Sequence, residues 1–375
     1  MRVGQLVQLP QGYRAFVPSE FPPGEETLLD QELINLLAKA NLSLGNLNGI
    51  TQLLPDIDFF IFMYVRKEAA LSSQIEGTQA TMINAIEAEV EFTKRIPKDV
   101  NDIQHYIKAM NFGLNRLNSL PLSLRLIREV HKELLTGARI DHFADPGEFR
   151  TSQNWIGGNS PGTAKFVPPP VDEMKRALDD FEKFLHSQDQ MNALIKTALA
   201  HAQFETIHPF LDGNGRTGRL LITFYLCQQK ILDKPVLYLS EYFKKNRDTY
   251  FNLLHDYHNE GEVARWFKFF LQGVAEVADD AVKTSKKITI LQKKDIVKIQ
   301  SLGRTAETAM RVLEEFYKLP IVNVRKIQEW TKTSRVAANT LTNKFVKIGI
   351  LQPRNQNVRY GRTFYYKDYL DIFTA

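Results

Sequence analysis

The sequence is poor in cysteine, since Cys227 is the only one in 375 residues. A lone cysteine excludes an internal disulfide and a cysteine-rich metal site, which fits a reducing compartment. Long apolar runs are lacking too. The apolar stretch at residues 59–65 is too short to span a bilayer, and residues 1–10 lack the apolar core of a signal peptide. We therefore expect a cytoplasmic globular protein without a membrane partner.

The charge of the chain is unevenly distributed. The net charge is +5, but residues 283–375 contain 19 Lys and Arg against 7 Asp and Glu, a local charge of +12 that leaves −7 for residues 1–282. A local surplus of positive charge favours a polyanionic partner more than a uniform excess would. A chain of this length is expected to form two or three domains. We predict an N-terminal helical region (1–98), a central core (99–283) and a C-terminal domain (284–375).

Apolar periodicity predicts a mainly α fold in the first 283 residues. The predicted helices are 26–54, 56–76, 81–92, 99–117, 123–135, 171–187, 191–206, one starting near 216, 240–260 and 262–283. Gly77 is a natural stop for the second of them. Residues 1–25, rich in proline and glycine, are expected to wrap the surface as an arm. Alternation at 153–156 before a glycine turn predicts a small β-hairpin.

The C-terminal segment has the layout of a winged helix-turn-helix domain. A helix or linker at 284–303 is followed by predicted helices at 305–319, 323–330 and 334–349 and strands at 351–353 and 363–366. The third helix carries residue types that can read base edges, namely Arg335, Asn339, Thr342 and Asn343. The cations available for phosphates are Lys332, Lys344, Lys347, Arg354, Arg359 and Arg362. DNA binding, docking of a protein and a merely solvated basic surface all stay open.

The segment His208-Pro209-Phe210-Leu211-Asp212-Gly213-Asn214-Gly215-Arg216-Thr217-Gly218-Arg219 is the richest in chemistry. Gly213 and Gly215 allow positive φ and direct backbone amides into one concavity. A helix starting near Gly215 adds its positive end there, which favours a phosphate. The pattern GxxxxGK(S/T) is absent, so this is a different phosphate site from the Walker loop.

The polar side chains of this segment complete the predicted site. Arg216 and Arg219 lie on one helical face and can bind phosphate oxygens, while Asn214 can donate from its amide. Asp212 offers a hard oxygen ligand for Mg²⁺. His208, with an ordinary pKa near ~6.5, suits a general base for a hydroxyl nucleophile.

This segment resembles the signature of the Fic (filamentation induced by cAMP) family, HxFx(D/E)GNGRxxR, and matches every fixed position. Residues 147–158, Gly-Glu-Phe-Arg-Thr-Ser-Gln-Asn-Trp-Ile-Gly-Gly, resemble the family's approach to its β-hairpin flap. Ser72-xxx-Glu76-Gly77 resembles the inhibitory-helix motif (S/T)xxxE(G/N), on a helix at about 56–77. The resemblance covers roughly residues 1–280 and implies a helical Fic core carrying a small β-hairpin flap.

The resemblance implies transfer of AMP from ATP to a Tyr, Thr or Ser hydroxyl of a target protein. His208 would take the hydroxyl proton, Asp212 would hold Mg²⁺ (or Mn²⁺) and Arg219 would hold the γ-phosphate. The flap, about 153–166, would dock the target backbone as an added strand. The implied ATP-binding residues are Asp212, Gly213, Asn214, Gly215, Arg216, Thr217, Gly218, Arg219, Ile156, Gly157, Gly158 and Asn159, with Tyr250 and Phe251 as walls for adenine.

Ser72 and Glu76 lie four residues apart, hence on one helical face. A carboxylate at the C-terminal end of a helix is unfavourable unless a cation compensates it. Arg219 is the candidate cation, and once paired with Glu76 it could no longer hold a γ-phosphate. Ser72 is expected to hydrogen-bond the carboxylate and aim it. The same glutamate could instead orient a water for removal of AMP, so the reverse activity stays open.

Two other functions compete with adenylyl transfer. A DNA-binding regulator that senses nucleotide without chemistry would not need His208, which argues against it. Transfer of a phosphoryl or UMP group is a further alternative, but the Fic-like toxins that transfer phosphoryl have a lysine at the position of Gly213. The glycine here favours AMP. The sequence leaves open the target protein and the oligomeric state, including a homodimer.

Overall fold

The structure is a computed structural model, and it describes residues 3–23, 30–53, 57–90, 96–137, 145–259, 261–354 and 362–374. The fold is mainly helical, as predicted. Through the central region the helices are α1 (Gln31–Leu53), α2 (Ile57–Ile75), α3 (Met82–Val90), α4 (Lys98–Arg116), α5 (Leu124–Leu135), α6 (Val171–His186), α7 (Ala193–Ile207), α8 (Asn214–Gln228), α9 (Ser240–Lys245), α10 (Arg247–Asn259) and α11 (Val263–Gln300). The single helix expected at 240–260 is therefore two helices.

The N-terminal arm predicted from proline and glycine content is a β-hairpin. Strands β1 (Gly4–Gln8) and β2 (Arg14–Pro18) pair antiparallel, with Gly4 opposite Pro18 and Gln8 opposite Arg14. Gly12 lies in the connecting turn at φ +89°, a conformation that glycine adopts without strain. The hairpin is held to the body because Phe16 is buried and its N–H donates to the carbonyl of Val167 at 2.9 Å.

Helices α7 and α8 form the centre of the fold. Nearly every residue of both is buried, so neither shows the amphipathic pattern of a surface helix. Trp266 on α11 is fully buried against α7 and donates from Nε1 to the carbonyl of Ala198 at 2.9 Å. The loop that joins α7 to α8, residues 208–213, is thereby held between two rigid elements, and it contains the signature residues.

Helix α11 runs without a break across residue 284, where we predicted a domain boundary. The lysine-rich part, predicted as a helix or a linker, is helical because Ile288, Leu291 and Ile299 form one buried face while the lysines face outward. The charged segment is thus a rigid continuation of the core.

The C-terminal unit contains the helices and the hairpin expected from the sequence, plus elements that were not predicted. Its elements are α12 (Ala306–Lys318), β3 (Ile321–Asn323), α13 (Val324–Thr331), α14 (Arg335–Lys347), β4 (Gln352–Pro353), β5 (Thr363–Tyr365) and α15 (Lys367–Thr374), and its sheet has the order β3-β5-β4. Asn323 and Ser334 cap α13 and α14, because their side chains accept hydrogen bonds from Lys326 N and Ala337 N. Thr342, expected to face a ligand, is buried and donates to the carbonyl of Ala338. Arg359 lies outside the described residues.

The C-terminal unit packs directly against α2 and α3. Glu87 on α3 forms an ion pair with Arg354 at 2.9 Å and accepts a hydrogen bond from the hydroxyl of Tyr365. The ring of Phe373 on α15 meets Tyr64 on α2 edge to face at 5.6 Å. The helix that carries Ser72 and leads to Glu76 is therefore held between the central core and the C-terminal unit. Among the described residues, no helix has both the length and the apolar character needed to cross a bilayer.

Candidate active site

The signature loop is shaped by its own side chains. His208 ends α7 in the left-handed conformation, at φ 48° and ψ 60°, and Gly213 opens α8 at φ 78°. Asn214, the first residue of α8, closes this loop on Phe210. Its Oδ1 accepts from Phe210 N at 2.9 Å, and its Nδ2 donates to Phe210 O at 2.8 Å. The Asn214 amide, expected to donate to a phosphate, thus shapes the loop instead.

The N-terminus of α8 is where the sequence predicts a phosphate cradle. The Oδ1 atom of Asp212 accepts from Gly213 N at 2.5 Å and from Arg216 Nη2 at 3.4 Å, and the carboxylate is partly exposed. Thr217 is fully buried, and a Cβ on Gly218 would lie 2.6 Å from Glu205 Oε1. These two residues therefore bring α8 close to α7, while Gly213 packs against His131 and Leu135 and Gly215 faces the Glu76 carboxylate.

Arg219 lies at the centre of a contact with Ser72 on α2 and with Glu76, which follows that helix. Its side chain is 1% exposed, and it donates from Nε to Ser72 Oγ at 2.8 Å and from Nη2 to both Ser72 O at 3.0 Å and Glu76 Oε1 at 2.7 Å. The predicted pairing of Glu76 with Arg219 is thus present in the structure. Ser72 has a different partner from the one expected, because its oxygens accept from Arg219 rather than holding the Glu76 carboxylate.

The Glu76 carboxylate occupies the space above the N-terminus of α8. A Cβ on Gly215 would lie 2.3 Å from Glu76 Oε1, so the carboxylate rests directly against this glycine. Burial acts to raise the pKa of Glu76, but the charges of Arg219 and Arg216 and the hydrogen bond from Arg219 outweigh it and hold the pKa below its usual range. The carboxylate is therefore an anion resting where the helix end and two arginines favour anions.

Glu68 on α2, which was not predicted from the sequence, extends the face that carries Ser72. Glu68 lies four residues before Ser72, is buried, and accepts from the hydroxyls of Tyr106 at 3.1 Å and Ser240 at 2.5 Å. Burial raises the pKa of its carboxyl. Glu68, Ser72 and Glu76 thus follow the helical repeat of four, which is the signal that could have revealed Glu68.

His208 is half-buried, and its Nδ1 atom is buried without a hydrogen-bond partner among the described residues. Burial, followed by the charge of Arg150, lowers the pKa of His208 to about 4. Burial also raises the pKa of the neighbouring Glu205 to about 7, against the opposing charge of Arg219. At neutral pH His208 therefore has a ring nitrogen free of its proton, as a general base requires.

The flap forms one bridge rather than the regular hairpin expected. Ile156 N donates to Phe166 O at 2.8 Å, and Lys165 N and Phe166 N both donate to Ile156 O. Gly157 and Gly158 have φ +70° and +75°, and a Cβ on Gly158 would lie 2.4 Å from Thr163 O, so the tip folds too tightly for longer strands. Trp155 and Ile156 are exposed.

The two residues predicted as adenine walls have different surroundings. Tyr250 is buried, stacks on Phe243 with ring centroids 4.5 Å apart, and its hydroxyl lies 2.8 Å from His201 Nε2. Phe251 is 40% exposed, with the guanidinium of Arg247 4.9 Å above its ring. Only Phe251 therefore presents a face to a ligand.

Asp212 fits a metal that is shared with substrate phosphates. Within the described parts of the chain, no group of three or more His, Cys, Asp or Glu side chains could hold a metal ion alone. A single partly exposed carboxylate suits Mg²⁺, which is commonly bound by one or two carboxylates together with phosphates and waters.

His258 is a buried histidine beside the flap whose titration affects stability. Its ring stacks on Phe166 with centroids 4.3 Å apart, and neither ring nitrogen has a hydrogen-bond partner. Burial, followed by the charges of His255 and His208, lowers its pKa from 6.5 to about 3. Because the unfolded chain binds this proton more readily, the stability from a neutral His258 is present above pH 6.5 and is lost as the pH falls toward 3.

We expect His258→Phe to weaken the pH dependence of folding stability. Phenylalanine keeps the stack and removes the titrating group, so the free energy of unfolding should fall less steeply below pH 6.5, by up to about 1.4 kcal/mol per pH unit. Urea denaturation at about pH 7, 6 and 5 measures this slope. His186→Phe is the control, because His186 is exposed at the end of α6. Equal slopes for wild type and His258→Phe would contradict the prediction.

The chain is similar to known proteins in both sequence and fold. Two family models match, Fic/DOC family N-terminal over residues 34–115 and Fic/DOC family over residues 121–226. Proteins named protein adenylyltransferase Fic from Drosophila grimshawi and Drosophila ananassae are each 28% identical over 211 residues, which cover 55% of this chain and 40% and 39% of theirs. The match thus spans about two fifths of the length of these curated relatives.

Solved structures show the same fold. A Fic family protein from Desulfovibrio desulfuricans matches with a TM-score of 0.57 at 16% identity, over 90% of this chain and 96% of that one. A Fic domain containing signalling protein from Bacteroides thetaiotaomicron gives a TM-score of 0.52 at 18% identity, over 68% of this chain and 96% of that one. The two family models together span about half of the chain and the second includes the whole signature from His208 to Arg219, so the chain belongs to the Fic/DOC family.

Proposed function

We propose that this protein transfers AMP from ATP to a Tyr, Thr or Ser hydroxyl of a target protein, and that Glu76 inhibits the transfer. The observation that carries the proposal is the contact between Arg219 and Glu76 at the N-terminus of α8. A buried guanidinium binds anions strongly. An anionic ligand at this arginine would therefore have to compete with the carboxylate that already holds it. The name adenylyltransferase of the relatives in Drosophila supports ATP as the ligand.

The phosphates of ATP would lie along the first turn of α8. Gly215 would let a phosphate approach the backbone closely once Glu76 has left, and Arg216, which pairs with Asp212, follows it in the same turn. Arg219 would hold the γ-phosphate once the Glu76 carboxylate has left. Because that carboxylate rests against Gly215, it overlaps the path of the phosphates as well as blocking Arg219.

The reaction is an attack of the target hydroxyl on the α-phosphorus. His208 accepts the hydroxyl proton, the oxygen forms its bond to the α-phosphorus, and the bond from that phosphorus to the oxygen bridging to the β-phosphate breaks, so that pyrophosphate leaves with the electron pair. Asp212 would hold Mg²⁺ (or Mn²⁺), which neutralises charge on the phosphates when bound. Arg216 and Arg219 stabilise the charge of the departing pyrophosphate.

The flap is the proposed docking edge for the target. The exposed residues Trp155 and Ile156 stand beside a backbone that is paired only at the bridge to Phe166. An extended segment of the target would add to this edge through main-chain hydrogen bonds, which position its hydroxyl without demanding one particular sequence.

The deciding experiment uses ATP labelled at either the α- or the γ-phosphate. Wild type and Glu76→Gly are incubated with Mg²⁺ and with a cell extract as the source of target, and label on protein is read. Label from α-labelled ATP alone supports adenylyl transfer, whereas label from γ-labelled ATP would mean phosphoryl transfer. A chase with unlabelled ATP or with pyrophosphate then tests removal of AMP as the alternative activity.

A second candidate function, DNA binding, is favoured by the outer face of α14. Arg335, Asn339 and Asn343 are exposed there, and Lys347 continues the same face. These types suit base edges and phosphates. A gel shift of the full chain with mixed duplex DNA at low salt tests this candidate, and the absence of any salt-dependent binding would remove it.

A further inference from the structure

Arg150, at the base of the flap, holds the catalytic loop by its backbone. The residue is 2% exposed, its Nε donates to the carbonyl of His208 at 3.0 Å, and its backbone N–H donates to the carbonyl of Pro209 at 2.9 Å. Its other two nitrogens donate to Ser152 O at 3.1 Å and Pro169 O at 2.5 Å, on the two sides of the flap. One side chain thus joins the loop that carries His208 to both ends of the flap.

The burial of Arg150 lowers the stability of the fold. Burial lowers the pKa of Arg150 to about 10, and among the residues that the structure describes no carboxylate pairs with it. A buried cation without a counter-charge opposes folding, so a site that retains one is a candidate for function rather than for stability.

The position of Arg150 relative to His208 indicates what it does. A histidine in the left-handed conformation is unfavourable by itself and has to be held there by its surroundings. Asn154 assists, since its Nδ2 donates to Phe210 O at 2.9 Å and to His208 O at 3.3 Å. The carbonyl of His208 is therefore fixed by two donors, and with it the direction in which the imidazole leaves the backbone.

We propose that Arg150 is a positioning residue for the transfer reaction, which fixes the direction of the His208 imidazole and places a positive charge next to the loop that carries it. The inference rests on the proposed function, because it assumes that His208 is the base. The other groups that act on His208 are Glu76, whose charge favours the protonated ring, Glu205, whose backbone does the same, and His258.

Two substitutions separate the charge from the geometry. Arg150→Lys keeps a positive charge but cannot reach all three carbonyls, and Arg150→Gln loses both. In the Glu76→Gly background we expect both to lower kcat about a hundredfold, as misplacement of a reacting group does, with KM for ATP unchanged. KM is spared because none of the hydrogen bonds of Arg150 goes to residues 213–219.

The charge is tested by NMR titration of the His208 imidazole in the full chain without ATP, with the resonance assigned by its loss in His208→Asn. We expect the titration to move to higher pH in Arg150→Gln and to stay in place in Arg150→Lys. An unmoved titration in Arg150→Gln, an unchanged kcat in both variants, or a rise in KM that matches the fall in kcat would overturn the proposal. Absence of transfer in the Glu76→Gly parent would instead refute the proposed function, and the titration would still decide the effect of Arg150.

Thermal unfolding of each variant shows whether the fold survives. If the Arg150 variants do not fold, Asn154→Ser decides the positioning role, because it removes the second donor to the His208 carbonyl and leaves the buried arginine in place. We expect a fall in kcat of about tenfold with KM unchanged. Parental kcat in a folded Asn154→Ser variant would then overturn that role.

Discussion

Substitution of Glu76 by glycine is expected to raise AMP transfer about ten- to a hundredfold. In the wild type, ATP has to displace a charge-assisted hydrogen bond of 2.7 Å between Arg219 and Glu76. Hydrogen bonds to charged groups contribute about 1.5–3 kcal/mol, which corresponds to that range of occupancy. The Glu76 side chain is 39% exposed, which screens the interaction and favours the lower part of the range. Label from α-labelled ATP, measured at matched protein concentration, gives the ratio.

Two further variants show whether the effect comes from the carboxylate. Glu76→Gln keeps the size of the side chain and loses its charge, so it should lie between wild type and Glu76→Gly. Ser72→Ala removes the Oγ that accepts from Arg219 Nε but leaves the backbone carbonyl of residue 72 and the Glu76 carboxylate in place, so its increase should be smaller. Equal transfer by wild type and Glu76→Gly, with equal affinity for ATP, would refute the inhibitory role.

The setting of α2 explains how such an inhibitor could be released. Glu68 and Ser72 hold the body of the helix against Ser240 and Arg219, and the C-terminal unit packs on its other side. Glu76 follows the last helical residue and precedes Gly77, which adopts φ +99°. Rotation of the Glu76 side chain, or opening of this turn, therefore clears Arg219 at lower cost than movement of the whole helix, which would break buried hydrogen bonds.

The sequence predicted the parts of the site that depend on the type and spacing of side chains. The helix start at the signature loop, the arginine at position 219 and its pairing with Glu76 follow from residues whose chemistry is visible in the chain. Arg150 and Asn154 were missed because they act on the carbonyls of His208 and Phe210. Any residue has a carbonyl, so no pattern of side chains predicts such partners.

The errors in the fold have the same physical origin. Glycine and proline content indicated an arm that wraps the surface at residues 1–25, without the strands β1 and β2, whose hairpin packs Phe16 against Phe166, a contact distant in sequence. At the flap, alternation predicted strands, and the two consecutive glycines at 157 and 158 close the tip too early for a ladder to form. Tertiary contacts and turn geometry decided both cases.

Replacement of His208 by alanine is expected to lower the rate of AMP transfer by about a hundred- to ten-thousandfold, which is the usual contribution of a general base. Burial, followed by the charge of Arg150, lowers the pKa of His208 to about 4, so at neutral pH the ring has a nitrogen able to accept a proton. Affinity for ATP should be retained, because the proposed phosphate site lies on α8 and its arginines and not on His208. The loss should be measured in the Glu76→Gly background, with ATP affinity determined in parallel.

Alanine at position 208 also introduces strain, because the residue sits at φ 48°. His208→Asn removes this ambiguity, since asparagine tolerates the left-handed conformation and cannot act as a base at neutral pH. Both variants should lose transfer to the same extent, while His186→Ala, at an exposed position of α6, should leave it unchanged. Substantial transfer by His208→Asn would mean that the proton is taken by another group, for which Glu205, with its pKa raised to about 7 by burial, would be a candidate.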